Sequence, residues 1–247
     1  MLTPWLPTGL LTTLLLGCTG SNPPTPPKPA KHALLVFYKT AGFRHESIPA
    51  GLRAIQQLGA EHGFAVDTTN AAARFTPEQL QPYGAVVFLN TTQDVLNPVQ
   101  QTAFEQYIRA GKGFVGVHAA TDTEYDWPWY NGLVGAYFSS HPAVQTATVR
   151  VVDKQHPATD FLPATWSRTD EWYNFKSIRP GLTILATLDE TTYSGGTNGP
   201  THPIAWYHSY DGGRAFYTAG GHTAESYTEP LFVRHLLGGI RYALGQP

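Results

Sequence analysis

Between residues 33 and 117, short apolar runs alternate with stretches of helical period, and this alternation leaves few folds open. The runs are "ALLVFY" (33–38), residues 64–68, "GAVVFLN" (84–90) and "GFVGV" (113–117). A short continuous apolar run is what a strand covered on both faces requires. In the first interval, Ile48, Leu52, Ile55 and Leu58 recur at helical spacing, and Gly63 is placed to stop the helix. "TPEQL" (76–80) offers a Thr cap and a proline at the first helical position. "NPVQQTAFEQYIRAG" (97–111) carries Asn97 as cap, Pro98 next, Gln100 as capping-box partner and Gly111 as its end. Strands and helices in this order build βαβ units, and right-handed crossovers make a doubly wound, mainly parallel α/β sheet with helices on both faces. Past residue 140 the strand-like runs at 146–152, 182–188, 203–209 and 214–219 come with turns and little helix, so an antiparallel extension is expected in the C-terminal half. "PLFVRHLLGGIRYAL" (230–244) closes the chain as a helix, and one domain over 33–245 is the simplest count.

The first 32 residues do not belong to this pattern. "GLLTTLLLG" (9–17) is too short to span a bilayer and fits the apolar core of a secretory signal. It runs into "LLGC", which resembles the lipobox of bacterial lipoproteins, where the cysteine is lipidated and becomes the first mature residue. The reading is a signal peptide over 1–18, with Cys18 the lipidation site and a cell-envelope location. An ordinary cleaved signal or an incidental apolar start remains open. Residues 19–32, with prolines at 23, 24, 26, 27 and 29, read as a semi-rigid linker. Cys18 is the single cysteine, so no internal disulfide can form and paired-cysteine zinc sites are excluded. The net charge of −2, without any run of Lys or Arg, gives a nucleic acid no electrostatic footprint. Membrane contact is expected through the lipid alone.

Ligands of open parallel sheets bind beyond the C-terminal strand ends. By sequence order, "KTAGFRHES" (39–47), "NTTQD" (90–94), "HAATD" (118–122) and "GGH" (220–222) lie there, and three of these four contain a histidine. His118 and Asp122, at i and i+4, would share a face, as a metal-binding pair or as a base with its orienting carboxylate. His45, His141 and His222 are the further candidates, each also readable as an ordinary loop residue. In "DEWYNF" (170–175) adjacent acids on a strand would point to opposite faces, so at most one faces a pocket. Glu171 is the candidate second acid/base. Arg44, Asn90, Trp127, Trp129 and Trp172 are candidate sugar contacts, the tryptophans being equally readable as core. No HExxH helix, GxSxG elbow, phosphate loop or dinucleotide fingerprint is present, so no nucleotide cofactor is expected.

"GFRHESIP", "GKGFVGVHAATDT", "WPWYNGLVGAYFSSHP", "DEWYNF" and "GGRAFYTAGGH" together resemble the ThuA-like, trehalose-utilisation family across about 33–245. The resemblance implies a flavodoxin-like α/β sandwich similar to class I glutamine amidotransferases. In those enzymes a cysteine nucleophile stands at the strand-to-helix elbow. Here "GVHAA" puts His118 in that place, so thiol acyl-enzyme chemistry and glutamine hydrolysis are excluded. The family is associated with catabolism of sugars, including 3-keto disaccharides. The expectation is therefore a lipid-anchored protein acting on a small sugar or 3-keto-sugar derivative. Its catalytic residues are His118, Asp122 and Glu171, and a divalent metal such as zinc is admitted at His45, His118, His141 and His222. The alternative is a non-catalytic carbohydrate-binding lipoprotein on an enzyme-derived fold.

Overall fold

The computed structural model describes residues 1–2 and 33–246; Cys18 and the proline-rich linker lie outside the described residues. Among the described residues, eleven strands and five α-helices follow one another. The strands are β1 (Ala33–Phe37), β2 (Ala65–Thr69), β3 (Ala85–Leu89), β4 (Gly113–Val117), β5 (Tyr137–Ser140), β6 (Gln145–Val151), β7 (Thr165–Asp170), β8 (Asn174–Lys176), β9 (Thr183–Asp189), β10 (Pro203–Tyr210) and β11 (Gly213–Thr218). The helices are α1 (Ile48–His62), α2 (Pro77–Leu80), α3 (Pro98–Arg109), α4 (Pro128–Val134) and α5 (Pro230–Leu244).

Nine strands form one sheet in the order β2-β1-β3-β4-β11-β10-β9-β6-β7, and β5 pairs with β8 in a small second sheet. From β2 to β11 every pairing is parallel. From β11 to β7 every pairing is antiparallel. The expected antiparallel extension is thus as broad as the parallel half. Two reversals separate β11 from β9 and two more separate β9 from β7. Strands β1, β3, β4, β11, β9 and β7 therefore all run the same way, and their C-terminal ends share one edge. That edge carries the site.

The local signals act as their chemistry requires. The Asn97 side chain accepts from Gln100 N at 3.0 Å while Asn97 N donates to Gln100 Oε1 at 2.9 Å, a complete capping box for α3. Alternate residues of the buried strands meet different helices. Phe88 stacks on Phe104 of α3 at 5.4 Å, with Phe37, Phe75 and Phe114 around it. Its neighbour Leu89 lies on the other face, within 3.0 Å of where a Cβ on Gly51 of α1 would stand. Helix α5 comes down on β4 so closely that a Cβ on Gly113 would sit 2.1 Å from Ala243 O. Helices thus cover both faces of the parallel half, which is why its strands are apolar throughout. No described helix is long and apolar enough to cross a membrane.

Candidate active site

Four of the loops at the common edge each deliver one side chain to a single point. His45 follows β1, His118 follows β4, Glu171 follows β7 and His222 follows β11. One ligand-capable atom from each of these four residues lies within 4.8 Å of the others. The three imidazoles stand nearly edge-to-face, with centroids 4.8 Å (His45–His118), 5.1 Å (His45–His222) and 5.3 Å (His118–His222) apart.

His118 occupies a strained turn. Its φ of +48° puts a non-glycine residue in the left-handed region as the strand breaks into a 3-10 turn over His118–Thr121. Such backbone strain costs about 1–3 kcal/mol and persists only where the surroundings impose it. The ring is fully buried, lies 4.1 Å from Tyr173 centroid to centroid, and has Nδ1 2.8 Å from Ala219 O. A carbonyl only accepts, so Nδ1–H is the donor and, in the neutral ring, Nε2 presents its lone pair. Nε2 lies 3.4 Å from Glu171 Oε2, and His222 Nδ1 lies 3.0 Å from the same oxygen. Neither is aligned for a hydrogen bond. His118 Nε2, His222 Nδ1 and His45 Nδ1 are all buried without a hydrogen-bond partner.

The electrostatics follow from this packing. Burial, reinforced by His118 and His222, depresses His45 to a pKa of about 3, so its ring is neutral near pH 7. Burial pushes the Glu171 carboxyl up, but His118 and His222 against it outweigh that and hold it well below the usual carboxylate range. The His222 ring is pushed down by burial, yet the adjoining Glu171 carboxylate leaves it raised overall.

Behind the side chains, residues 219–222 act as a strut. Ala219 O orients His118. Gly221 O accepts from Ser47 Oγ, Asn90 Nδ2 and Tyr227 OH, tying the His45 segment and the end of β3 to the same peptide. Gly221 has φ +114°, and a Cβ there would lie 2.6 Å from Tyr227 Oη, so only glycine fits. Asp170 fixes the strut from the other side. Its Oδ2 accepts from Gly221 N (2.9 Å), Ser226 Oγ (3.0 Å) and Arg168 Nη1 (3.1 Å). Its Oδ1 accepts from His222 N (3.0 Å) and Glu171 N (2.9 Å). One carboxylate therefore sets the backbone of two of the four converging residues.

The cluster opens into a pocket of about 290 Å³ lined by Phe43, His45, Asp122, Phe138, His141, Glu171, Tyr173 and His222. His141, after β5, stands at its rim with Nδ1 3.0 Å from Glu171 Oε1 and 2.9 Å from Pro142 O. A second depression of about 450 Å³ shares Phe43, His45 and His222 and extends past Arg44, Glu46, Ser47, Thr223 and Glu225.

Several expected roles change. Asp122 lines the pocket but does not partner His118: after a 3-10 turn instead of an α-helix, its carboxylate accepts from Tyr125 OH and Gln93 Nε2. Burial raises its pKa, partly opposed by those two donors. Glu171 takes the place beside His118. The His118 ring is fully buried and is not among the residues that line the pocket. The three tryptophans line neither pocket. Trp127 stacks on Trp129 and donates to Glu105, Trp129 donates to Asp211, and fully buried Trp172 donates to Gln145 O. Each indole N–H is satisfied away from the site, and the walls are instead Phe43, Phe138 and Tyr173. Asn90 is buried and braces loops, while exposed Arg44 lines the outer depression. The sequence reading missed Asp170 and Ser47, whose roles arise only from contacts across 51 and 174 positions.

A sequence family described as ThuA, trehalose utilisation, matches residues 33–243. The chain belongs to the ThuA family. Its fold is shared with a ThuA-like protein of Bacteroides uniformis (TM-score 0.76, 25% identity, covering 90% of this chain and 95% of that one). A ThuA-like protein of Parabacteroides merdae is similar over 89% of this chain and 91% of that one (TM-score 0.71, 22% identity). A β-galactosidase from Bacillus circulans shares the fold over 32% of its length (TM-score 0.56, 12% identity). No curated protein matches the sequence. ThuA membership ties the chain to carbohydrate utilisation, and the geometry bears on what it does there.

Proposed function

We propose that this ThuA-family protein is an enzyme that moves a proton beside the carbonyl of a sugar or 3-keto-sugar derivative. The observation that carries the reading is the division of labour at Glu171. Its Oε2 faces His118 and His222, and its Oε1 faces His141 at the pocket rim. His141 Nδ1 sits between two acceptors, Glu171 Oε1 and Pro142 O, and so carries the hydrogen; Nε2 is left as the basic atom. The Pro142 carbonyl fixes the tautomer, and the Glu171 carboxylate beside the ring stabilises the imidazolium that forms when Nε2 takes a proton. The aromatic walls Phe43, Phe138 and Tyr173 suit the apolar faces of a pyranose.

The test uses hydrogen exchange. The protein is incubated with a 3-keto-disaccharide in D₂O, and deuterium entry next to the carbonyl is followed by NMR. Wild type should exchange that position, and His141→Ala and Glu171→Gln should each slow it by about 10²–10⁴-fold, the usual worth of a positioned base. Sugar binding without exchange in wild type would favour a non-catalytic carbohydrate-binding protein.

In the same reading the protein is lipid-anchored through Cys18 and works in the cell envelope. The "LLGC" sequence after an apolar run, followed by a proline-rich spacer, supports this. Cys18→Ser should move the protein from the membrane to the soluble fraction, and unchanged membrane association would refute the anchor.

A further inference from the structure

We propose that His45, His118, His222 and Glu171 form a binding site for one divalent transition-metal ion, of which zinc is the best match. The inference does not depend on which sugar the pocket takes.

Three independent features carry it. The first is satisfaction. Buried polar atoms in folded proteins nearly always have a partner. Here His45 Nδ1, His118 Nε2 and His222 Nδ1 are buried and unpartnered, and one ligand-capable atom from each of these residues converges with Glu171 within 4.8 Å. No hydrogen bond from one ring to another satisfies any of these three nitrogens. One cation accepts all three lone pairs together.

The second is distance. Ligands about 2.0–2.1 Å from a tetrahedral zinc stand about 3.3 Å from each other. The four ligand atoms lie within 4.8 Å of one another, and two of the contacts to Glu171 are already 3.0 and 3.4 Å. Small side-chain rotations close the shell.

The third is the support behind the ligands. Metal-bound histidines characteristically donate their second N–H to a carbonyl or carboxylate, which fixes the tautomer. His118 does so to Ala219 O. The backbone amides of Glu171 and His222 are both held by Asp170, and Gly221 O anchors Ser47, two residues from His45. Neutral imidazoles with one carboxylate suit zinc and its first-row neighbours, whereas calcium and magnesium prefer all-oxygen shells. His141 lies outside the shell, because its nitrogen meets the far oxygen of Glu171. Bound at the pocket floor, the ion would polarise a substrate carbonyl.

The experiment is zinc loading of the full chain without an affinity tag, after chelator treatment and dialysis, read by elemental analysis. Wild type and His141→Ala should each hold one zinc per chain. His118→Ala, His222→Ala and Glu171→Gln should bind at least about tenfold more weakly. At the same zinc concentration the rise in Tm should be smaller in those three variants than in wild type, a readout that needs only folded protein. If a variant fails to fold, cobalt loading of wild type decides, since the absorption spectrum reports nitrogen and oxygen ligation directly. Wild type that takes up no zinc overturns the site. So does zinc retained in full by both His118→Ala and His222→Ala. Loss of zinc in His141→Ala would instead overturn the assignment of the shell.

Discussion

Replacing Asp170 by asparagine should weaken both the fold and the site, although the side chain touches neither pocket. The carboxylate is fully buried and receives Gly221 N, His222 N, Ser226 Oγ, Glu171 N and Arg168 Nη1. Asparagine keeps one acceptor oxygen and turns an NH₂ group toward donors on the other side. Removing one partner of a buried ion pair costs about 3–5 kcal/mol when the remaining charge is left alone. Arg168 keeps its 3.0 Å contact with Glu229, so the lower end, about 3 kcal/mol, is expected. For a chain of this size that lowers Tm by about 6–12 °C. Urea denaturation should show the loss as a shifted midpoint at constant m. The strut that presents His222 and orients His118 should loosen together with the fold, cutting zinc affinity by about 10–100-fold, as loss of an outer-shell partner does. A stability change below about 1 kcal/mol with unchanged zinc affinity would refute the strut argument.

Gly221→Ala attacks the same strut from within: the φ of +114° and the 2.6 Å approach to Tyr227 Oη predict a destabilisation of about 1–3 kcal/mol, measured by urea titration, with weaker zinc binding. Phe43, 65% exposed at the junction of the two depressions, should matter to substrate and not to folding. Phe43→Ala should raise KM about 2–10-fold at unchanged Tm, whereas Trp172→Ala should lower stability by about 3–5 kcal/mol without contacting sugar. His235, in α5, is depressed by burial to a pKa of about 4, with its bond to Ala158 O partly opposing this. The unfolded state then takes up the proton first as pH falls, so stability declines from pH 6.5 toward 4 and levels off below. The contribution is about 2–3 kcal/mol between pH 7 and 4.5, and His235→Leu should show correspondingly less pH dependence in its urea midpoint.

The parallel half of the fold was legible in the sequence because its signals are local. Apolar runs, the Asn97 capping box and the proline starts each act within a few residues, and the strands they frame are buried on both faces. The antiparallel half was read less completely. β7 alternates exposed and buried residues, and β5 and β8 are only four and three residues long, too short for periodicity to register. The candidate histidines were visible because loops at one sheet edge are ordered by strand direction alone. Which group pairs with which was not. The i,i+4 argument for His118 and Asp122 assumed an α-helical turn, and a 3-10 turn redirected the carboxylate. Of the two acids in "DEWYNF", Glu171 enters the pocket and Asp170 holds the strut, a split the alternation rule allowed without saying which acid took which part. The tryptophans misled because a ring satisfied in the core and a ring offered to a sugar have the same sequence signature.

The central claim about the molecule is that four loops aim their ligand atoms at one point. Anomalous diffraction at the zinc edge from zinc-soaked crystals measures that directly. One peak is predicted, about 2.0–2.2 Å from His45, His118, His222 and a Glu171 oxygen, with His141 outside bonding distance. A map with no peak there, or with His118 Nε2 hydrogen-bonded to protein or water in place of metal, would contradict it.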